Sequence, residues 1–169
     1  VVMPSMLTSV TAISALVAQL EQHHMASQEP EAQFALLSDW ADADQAEQAE
    51  DGPLLASAAA ALHALNAQHP VPAGQPPRFL LLHRQRRWSV SEQRFIGWER
   101  KRGKLEELVA HLAAHTGEHV AHLADAGPGA STAAPGPASP FIDLGALSRC
   151  RAGIRYVLTL DGDTDLPPG

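Results

Sequence analysis

The stretch FALLSD, residues 34–39, determines the predicted fold. Four consecutive apolar residues are typical of a strand that is buried on both faces, as in a parallel sheet covered by helices. Ser38 and Asp39 then place polar groups where that strand ends. Similar apolar runs recur along the chain, and proline or polar residues close them: VVM at 1–3, FLLL at 79–82 and YVLTL at 156–160.

Helical patterns fill the intervals between these runs. Thr8 or Ser9 is predicted to cap a first helix, Asp51-Gly52-Pro53 opens a second, and Ser89 caps a third whose pattern is broken near Gly97 and Gly103. The low-complexity stretch at 127–140 predicts a flexible loop over 124–140. The order of elements indicates an α/β fold in one domain, 1–169: a Rossmann-like parallel sheet with flanking helices.

Right-handed crossovers bring the carboxyl ends of parallel strands to one edge of the sheet, where ligands bind. The residues predicted to follow the four strands should therefore meet there. They are Pro4 and Ser5, Ser38 and Asp39, His83 and Arg84, and Asp161 and Asp163.

Composition excludes several classes of function. The formal net charge of the 169 residues is -7, which argues against a nucleic-acid partner. The single cysteine, Cys150, excludes an internal disulfide framework, and no apolar run is long enough for a membrane span. The chain does not begin with Met and opens inside a strand-like run, so we expect a soluble piece of a longer protein.

The tripeptide Asp161-Gly162-Asp163 follows the last run. Two close carboxylates repel each other unless a cation lies between them, and oxygen ligands suit Mg²⁺ or Mn²⁺. The pattern is thus compatible with a metal that bridges to a diphosphate. A solvated turn is the alternative, because Asp and Gly favour turns.

Basic residues cluster at Arg84, Arg86, Arg87 and in GWERKRGKLEEL, 97–108. They indicate either a phosphate clamp or a solvated helix surface with Glu–Lys and Glu–Arg pairs. The three tryptophans either stack on a base or sugar or belong to the core and its rim.

A zinc hydrolase is a further alternative. HTGEH, 115–119, matches a pattern in which His115 and His119 bind Zn²⁺ and Glu118 acts as base. Gly117 weakens a helix there, and a histidine-rich helix end explains the same residues. A non-catalytic interaction domain that uses the basic helix and the loop is the remaining alternative.

Four segments of the chain resemble the cyclic β-1,2-glucan synthases, a family of large bacterial inner-membrane glycosyltransferases. The resemblance covers roughly 1–112 and 154–169. The segments are RRWSVSEQRFIGWERKRGKLEEL at 86–108, RYVLTLDGDTDLPPG at 155–169, VVMPSMLTS at 1–9 and QFALLSDWADA at 33–43.

The resemblance implies the first part of an A-type nucleotide-sugar fold, incomplete in this chain, on the cytoplasmic face of the inner membrane. The donor would be UDP-glucose and the acceptor a growing glucan, with the remainder of the parent polypeptide as a further partner. Gly162 and Asp165 depart from the family pattern, and Asp165 adds negative charge beside the metal.

Residue roles also follow from the resemblance. Pro4 and Ser5 would line the base pocket, and Asp39 would contact uracil or ribose. Arg102 and Lys104 would approach the diphosphate. Asp161 would face the ribose and the metal, and Asp163 would bind the metal. Inverting transfer needs a general base; the resemblance puts it beyond this chain, so we expect no catalytic residue and no turnover here.

Overall fold

The computed structural model describes residues 1–27, 29–124 and 139–161, with the backbone alone for 115–124. Within these ranges, three parallel strands form one sheet in the order β1-β2-β3. Their bounds are Val2–Leu7 for β1, Phe34–Trp40 for β2 and Phe79–His83 for β3. The predicted α/β fold with a parallel sheet and flanking helices is confirmed.

Helices α1, Val10–Ala26, and α2, Asp51–Gln68, cover one face of the sheet, and α3, Arg100–Ala124, covers the other. Ser9 caps α1, because its Oγ accepts a hydrogen bond of 3.1 Å from the backbone N–H of Ala12. The start of α2 at Asp51 is also as predicted. None of the described helices combines the length and the apolar character needed to cross a bilayer.

Alternate residues of each strand serve two separate cores. Phe34, Leu36, Phe79 and Leu81 pack with buried residues of α1 and α2, among them Leu62. The intervening residues, Ala35, Leu37, Leu80 and Leu82, pack with Leu108 of α3. The sheet is therefore apolar on both faces, which explains why its strands are continuous apolar runs.

The predicted start of the third helix at Ser89 is wrong, because that helix, α3, begins at Arg100. Strands β4, Arg87–Ser89, and β5, Arg94–Ile96, form an antiparallel hairpin instead. Trp88 packs edge-on against Phe95 across the two strands, with ring centroids 5.1 Å apart. Aromatic and β-branched residues favour such pairs. The Ser89 Oγ accepts from the N–H of Glu92 in the hairpin turn rather than at a helix start.

Strand β1 does not end at Pro4, as the sequence predicted, but continues to Leu7. Proline cannot donate to a sheet, and it is tolerated where one side of the strand is unpaired. Within the described residues, β1 pairs along its length with β2 alone, and its other side is bridged only at Val2. Pro4 and Ser5 are therefore inside the strand, and so are Ser38 and Asp39 inside β2.

The predicted fourth strand, 156–160, is reduced to a single parallel bridge between Val2 and Thr159. Two backbone hydrogen bonds hold it: Val2 donates to Leu158 at 2.7 Å, and Leu160 donates to Val2 at 2.9 Å. Tyr156 is 89% exposed, so the prediction of a buried strand is wrong. No described element covers the outer side of this segment. Most of the predicted flexible loop, 125–138, lies outside the described residues.

Candidate functional site

A cavity of about 300 Å³ opens at the carboxyl edge of the sheet, between the ends of β1 and β2 and the start of α3. Four of the residues predicted to bind the nucleotide sugar line it: Pro4, Ser5, Asp39 and Lys104. Strand alternation turns Asp39 toward α3, as the neighbouring Leu37 packs on that face. The fold thus brings residues that are far apart in sequence to one cavity.

Asp39 is a buried carboxylate neutralised by two buried cations. It is 4% exposed, and Arg84 and Lys104 are 3% and 4% exposed. Arg84 donates to both oxygens of Asp39, from Nε at 2.7 Å and from Nη2 at 2.9 Å. The Lys104 Nζ lies 3.1 Å from Asp39 Oδ2 and donates to the backbone carbonyl of Ser5 at 2.8 Å. The carboxylate therefore anchors the wall of the cavity.

Burial and charge act in opposite directions on the two cations. Burial lowers the pKa of Lys104, and the attraction of Asp39 offsets only part of that effect. Burial also disfavours the charged form of Arg84. Hydrogen bonds to Asp39 and Glu107 outweigh it, so the pKa of Arg84 is raised. The guanidinium is the permanent charge of this cluster.

Arg84 also links the cavity wall to α3 and to the chain before it. Its Nη1 donates to Glu107 Oε2 at 2.7 Å. Its Nη2 donates to the backbone carbonyl of Trp98 at 3.1 Å. The Arg84 side chain, at the carboxyl end of β3, therefore makes hydrogen bonds to β2, to α3 and to the segment that leads into α3.

The rim of the cavity carries exposed ion pairs. Arg100 donates to Asp42 at 3.0 Å, and Lys101 pairs with Asp161. Both cations line the cavity, and so does Asp42. Three cations and two carboxylates therefore line the cavity: Arg100, Lys101 and Lys104, with Asp39 and Asp42. Each of the three cations has a carboxylate partner, which is Asp161 for Lys101, and an anionic ligand would have to compete with these carboxylates.

The remaining predicted site residues have different surroundings. Arg102 does not line the cavity; its side chain is 76% exposed and pairs with Glu106 one turn along α3 at 2.8 Å. Asp161 is half exposed and reaches the cavity through Lys101. Asp163 lies outside the described residues.

The basic set that suggested a phosphate clamp points largely into the protein. Arg84 makes the contacts described above. Arg86 forms an ion pair with Asp51 and donates to the carbonyl of Ala41 at 2.6 Å. Arg87 is exposed and pairs with Glu107 at 2.8 Å. Arg84 and Arg86 are committed to internal carboxylates and belong to the scaffold behind the cavity.

Sequence reasoning missed several lining residues, namely Met6, Trp40, Asp42, Gly97, Arg100 and Lys101. The string Gly97 to Lys104 did carry a signal, since it was singled out as basic, but which of its cations face the cavity depends on where α3 begins. Helical spacing from Lys104 back to Arg100 and Lys101 would have grouped the three.

A second polar row lies on the opposite face of the sheet. Ser5, Ser38 and His83 are register partners on adjacent strands, and Ser38 Oγ hydrogen-bonds with His83 Nδ1 at 2.8 Å. Burial lowers the pKa of His83 to about 4, and Asp39 and Asp51 oppose this shift only in part. The imidazole is therefore neutral at pH 7, and its Nδ1 pairs with the hydroxyl of Ser38 within the sheet.

The described side chains include no group of three or more His, Cys, Asp or Glu that could hold a metal ion. The zinc motif lies on α3, but its side chains are outside the described residues, as is the carboxylate of Asp163. Asp161 and Asp42 are the acidic groups at the mouth of the cavity. Both supply oxygen, the ligand type that Mg²⁺ and Mn²⁺ prefer.

A three-stranded parallel sheet with flanking helices and a polar cavity at its carboxyl edge defines an α/β protein whose fold is compatible with an incomplete Rossmann-like fold. No family model matches the chain. The chain is 34% identical over 166 residues to the cyclic beta-(1,2)-glucan synthase NdvB of Rhizobium meliloti (strain 1021). The alignment covers 98% of this chain and 5% of that synthase.

The chain is thus homologous to a short segment of a cyclic β-1,2-glucan synthase, and the resemblance seen in its motifs is confirmed. The similarity supports the general class of glycosyltransferases for the protein to which such a segment belongs.

Proposed function

We propose that this chain is the nucleotide-sugar-binding part of a glucan synthase and that its cavity takes UDP-glucose. The observation that carries the proposal is the cavity itself, which lies at the carboxyl edge of the sheet and is lined by three cations. A nucleoside diphosphate sugar is an anion, and ligands of open parallel sheets bind at this edge. The homologous protein is named as a glucan synthase, which fits a glucosyl donor.

The roles of the lining residues follow from their positions. Pro4 and Ser5 form the β1 wall, where the base would lie, and Asp39 fixes the adjacent strand. Arg100 and Lys101 are exposed cations on the rim, so we assign the diphosphate to them. Lys104 supports the wall through Ser5 and Asp39. Arg102 could contact the diphosphate only after breaking its ion pair with Glu106.

Asp161 and Asp163 would hold Mg²⁺ or Mn²⁺, which would neutralise the charge of the diphosphate. Asp161 is exposed, and its present partner is a surface lysine that a metal and phosphate could displace. In the full-length synthase this site would lie on the cytoplasmic face of the inner membrane. The general base and the glucan acceptor site would come from other parts of that protein, so the isolated chain binds donor without turnover.

Isothermal titration of the chain with UDP, in the presence of Mn²⁺ or of EDTA, tests the proposal. We expect binding that requires the metal and weakens by about 10-fold or more in Asp161→Asn and Lys101→Ala, since each loses a charge-assisted contact. Arg102→Ala is the matched control, because it removes an exposed cation of α3 that is outside the cavity. Absence of UDP binding at millimolar concentration with Mn²⁺ would refute the proposal.

One observation favours a second function, a non-catalytic interaction domain. Tyr156 and Leu158 are exposed on the segment beside β1, at an open edge of the described sheet. Such an edge can accept another strand. If UDP fails to bind while the chain associates through this edge, and Leu158→Lys abolishes that association, the interaction function is preferred.

A further inference from the structure

Lysine is scarce in this chain, and both of its lysines lie at the cavity. The sequence has twelve lysines and arginines together, and only Lys101 and Lys104 among them are lysines. Both line the cavity from the start of α3. Residues at this spacing are neighbours on one side of a helix, with Cβ atoms about 5–6 Å apart. The fold therefore directs a reagent that attacks lysine amines to one place.

The two amines have different surroundings. The side chain of Lys101 is 52% exposed and pairs with Asp161, which is equally exposed. Lys104 is only 4% exposed. Its Nζ donates to the Ser5 carbonyl at 2.8 Å and lies 3.1 Å from Asp39 Oδ2, and both of these partners also line the cavity. Lys104 is thus a desolvated amine of the wall, whereas Lys101 is a solvated cation of the rim.

These surroundings make Lys104 the better nucleophile of the two. An amine attacks a carbonyl carbon only in its neutral form. Burial is the main cause that lowers the pKa of Lys104, and the charge of Arg84 acts in the same direction, while Asp39 opposes both. Lysines that are desolvated beside another cation are those with which proteins form imines. The geometry of the wall therefore supplies a chemical capacity that nucleotide binding does not use.

We propose that the cavity is a site for a small phosphorylated aldehyde, which Lys104 binds covalently as an imine. The proposal goes beyond the proposed function, because this ligand carries no nucleotide. Its phosphate binds Arg100 and Lys101, where it replaces the exposed carboxylates of Asp42 and Asp161. Such exposed ion pairs are weak, and a phosphate dianion is a stronger partner than one carboxylate. The volume of about 300 Å³ suits a ligand of this size.

The reaction balances without an oxidant or a reductant. The Lys104 ammonium releases one proton to solvent, and the neutral amine forms a C–N bond with the aldehyde carbon. The carbonyl oxygen leaves as water with the two remaining amine hydrogens, and the imine nitrogen takes up one proton. The resulting iminium keeps the positive charge and one N–H group, which can donate to Asp39 as the ammonium does. The buried carboxylate therefore retains its cation in the adduct.

Pyridoxal 5′-phosphate, an aldehyde with one phosphate group, is the probe. The whole chain is incubated with it at pH 7, the imine is reduced with borohydride, and the modified residue is identified by peptide mass spectrometry. We expect at least about 5-fold more adduct on Lys104 than on Lys101, because only Lys104 is desolvated. In the chain unfolded in urea both amines are solvated, and their labelling should agree within about 2-fold.

Two comparisons test the role of the phosphate. Pyridoxal, which has the aldehyde without the phosphate, should bind about 10-fold more weakly, as measured by the absorbance of the imine. Lys101→Gln should weaken the phosphorylated probe about 3- to 10-fold and leave pyridoxal within about 2-fold. Arg102→Gln is the matched control, because Arg102 is an exposed cation of the same helix that pairs with Glu106 and does not line the cavity.

Lys104→Arg keeps a cation beside Asp39 but removes the amine, so the absorbance of the imine should be lost. If this variant fails to fold, the ratio of labelling in the unsubstituted chain still decides the question. The proposal is overturned if Lys101 or the amino group of Val1 is labelled as strongly as Lys104 in the folded chain. It is equally overturned if pyridoxal binds as tightly as its phosphate.

The nucleotide site and the aldehyde site fail separately, because the probe contains no nucleotide and the titration with UDP forms no imine. A chain that ignores UDP but forms the imine on Lys104 contradicts the donor site and supports the aldehyde site. A chain that binds UDP but forms no imine on Lys104 contradicts the aldehyde site and leaves the donor site intact.

Discussion

Replacing Arg84 with Met should destabilise the protein more than any change of an exposed cation. Methionine is unbranched and fills much of the space of the arginine stem but carries no charge. The substitution removes two hydrogen bonds to Asp39, one to Glu107 and one to the Trp98 carbonyl. Asp39 then stays buried with Lys104 as its remaining cation.

The expected loss of stability in Arg84→Met is limited because Lys104 still partly neutralises Asp39. Removing one member of a buried ion pair costs about 3–5 kcal/mol, because the partner is left with an uncompensated charge. Asp39 keeps Lys104 and Glu107 keeps Arg87, so the cost should fall at the lower end, about 3 kcal/mol. With a urea m-value of about 2 kcal/mol/M, the midpoint of unfolding should decrease by about 1.5 M.

Urea unfolding at pH 7, followed by circular dichroism, measures this change. Arg102→Met is the control, since Arg102 has an exposed pairing with Glu106, and we expect no measurable change of its midpoint. A shift for Arg84→Met as small as that of the control would refute the reasoning. It would mean that the buried cluster contributes no more than a surface pair.

Two further predictions concern the cavity wall and the polar row behind it. Gly97→Ala should destabilise the chain by about 1–3 kcal/mol, because its Cβ would lie 2.8 Å from a carboxylate that Arg84 and Lys104 hold in place. Gly52→Ala, where nothing lies within 4 Å in helix α2, should be neutral or stabilising; equal destabilisation of both in urea titrations would contradict this. The pKa of His83 is lowered on folding to about 4, so the unfolded state takes up the proton first and stability falls as pH drops below 6.5. Between pH 6.5 and 5, the unsubstituted chain should lose about 2 kcal/mol more than His83→Gln, and parallel losses would show that His83 is not the group responsible.

Strands β2 and β3 of the sheet could be predicted from the sequence because each one is marked by its own run of apolar residues. FALL and FLLL are continuous apolar runs, and the structure buries them on both faces. The same argument failed for YVLTL, which has the right residue types but lacks a described neighbour to cover it, so Tyr156 remains exposed. Strand propensity alone does not bury a strand.

The region from Ser89 to Gly103 was predicted wrongly because its structure depends on contacts between residues that are separated along the chain. Its serine, glycines and charged residues suggested a broken helix, whereas Trp88 and Phe95 pair across a hairpin. Glu99 and Arg100, which follow this hairpin, adopt left-handed φ angles, and buried Arg84 donates to the carbonyl of the preceding Trp98. Spacing along the chain carries no information about such support.

The candidate site was predictable only in part for a related reason. The carboxyl-edge rule grouped Pro4, Ser5 and Asp39, which line one cavity whatever they bind, and Lys104, which was named only through the family resemblance, lines it as well. The rule could not show that Asp39 is already saturated by two cations, nor that Arg100 and Lys101, rather than Arg102, face the opening. Those distinctions depend on side-chain geometry at the first turn of α3.

The contacts of Arg84 have a consequence for the thermodynamics of binding. Immobilising a long charged side chain costs up to about 2 kcal/mol of conformational entropy. For Arg84 and Lys104 this cost is incurred when the chain folds, since both are already fixed against Asp39. A ligand therefore meets a preorganised wall, and ordering on binding is confined to the exposed side chains of the rim.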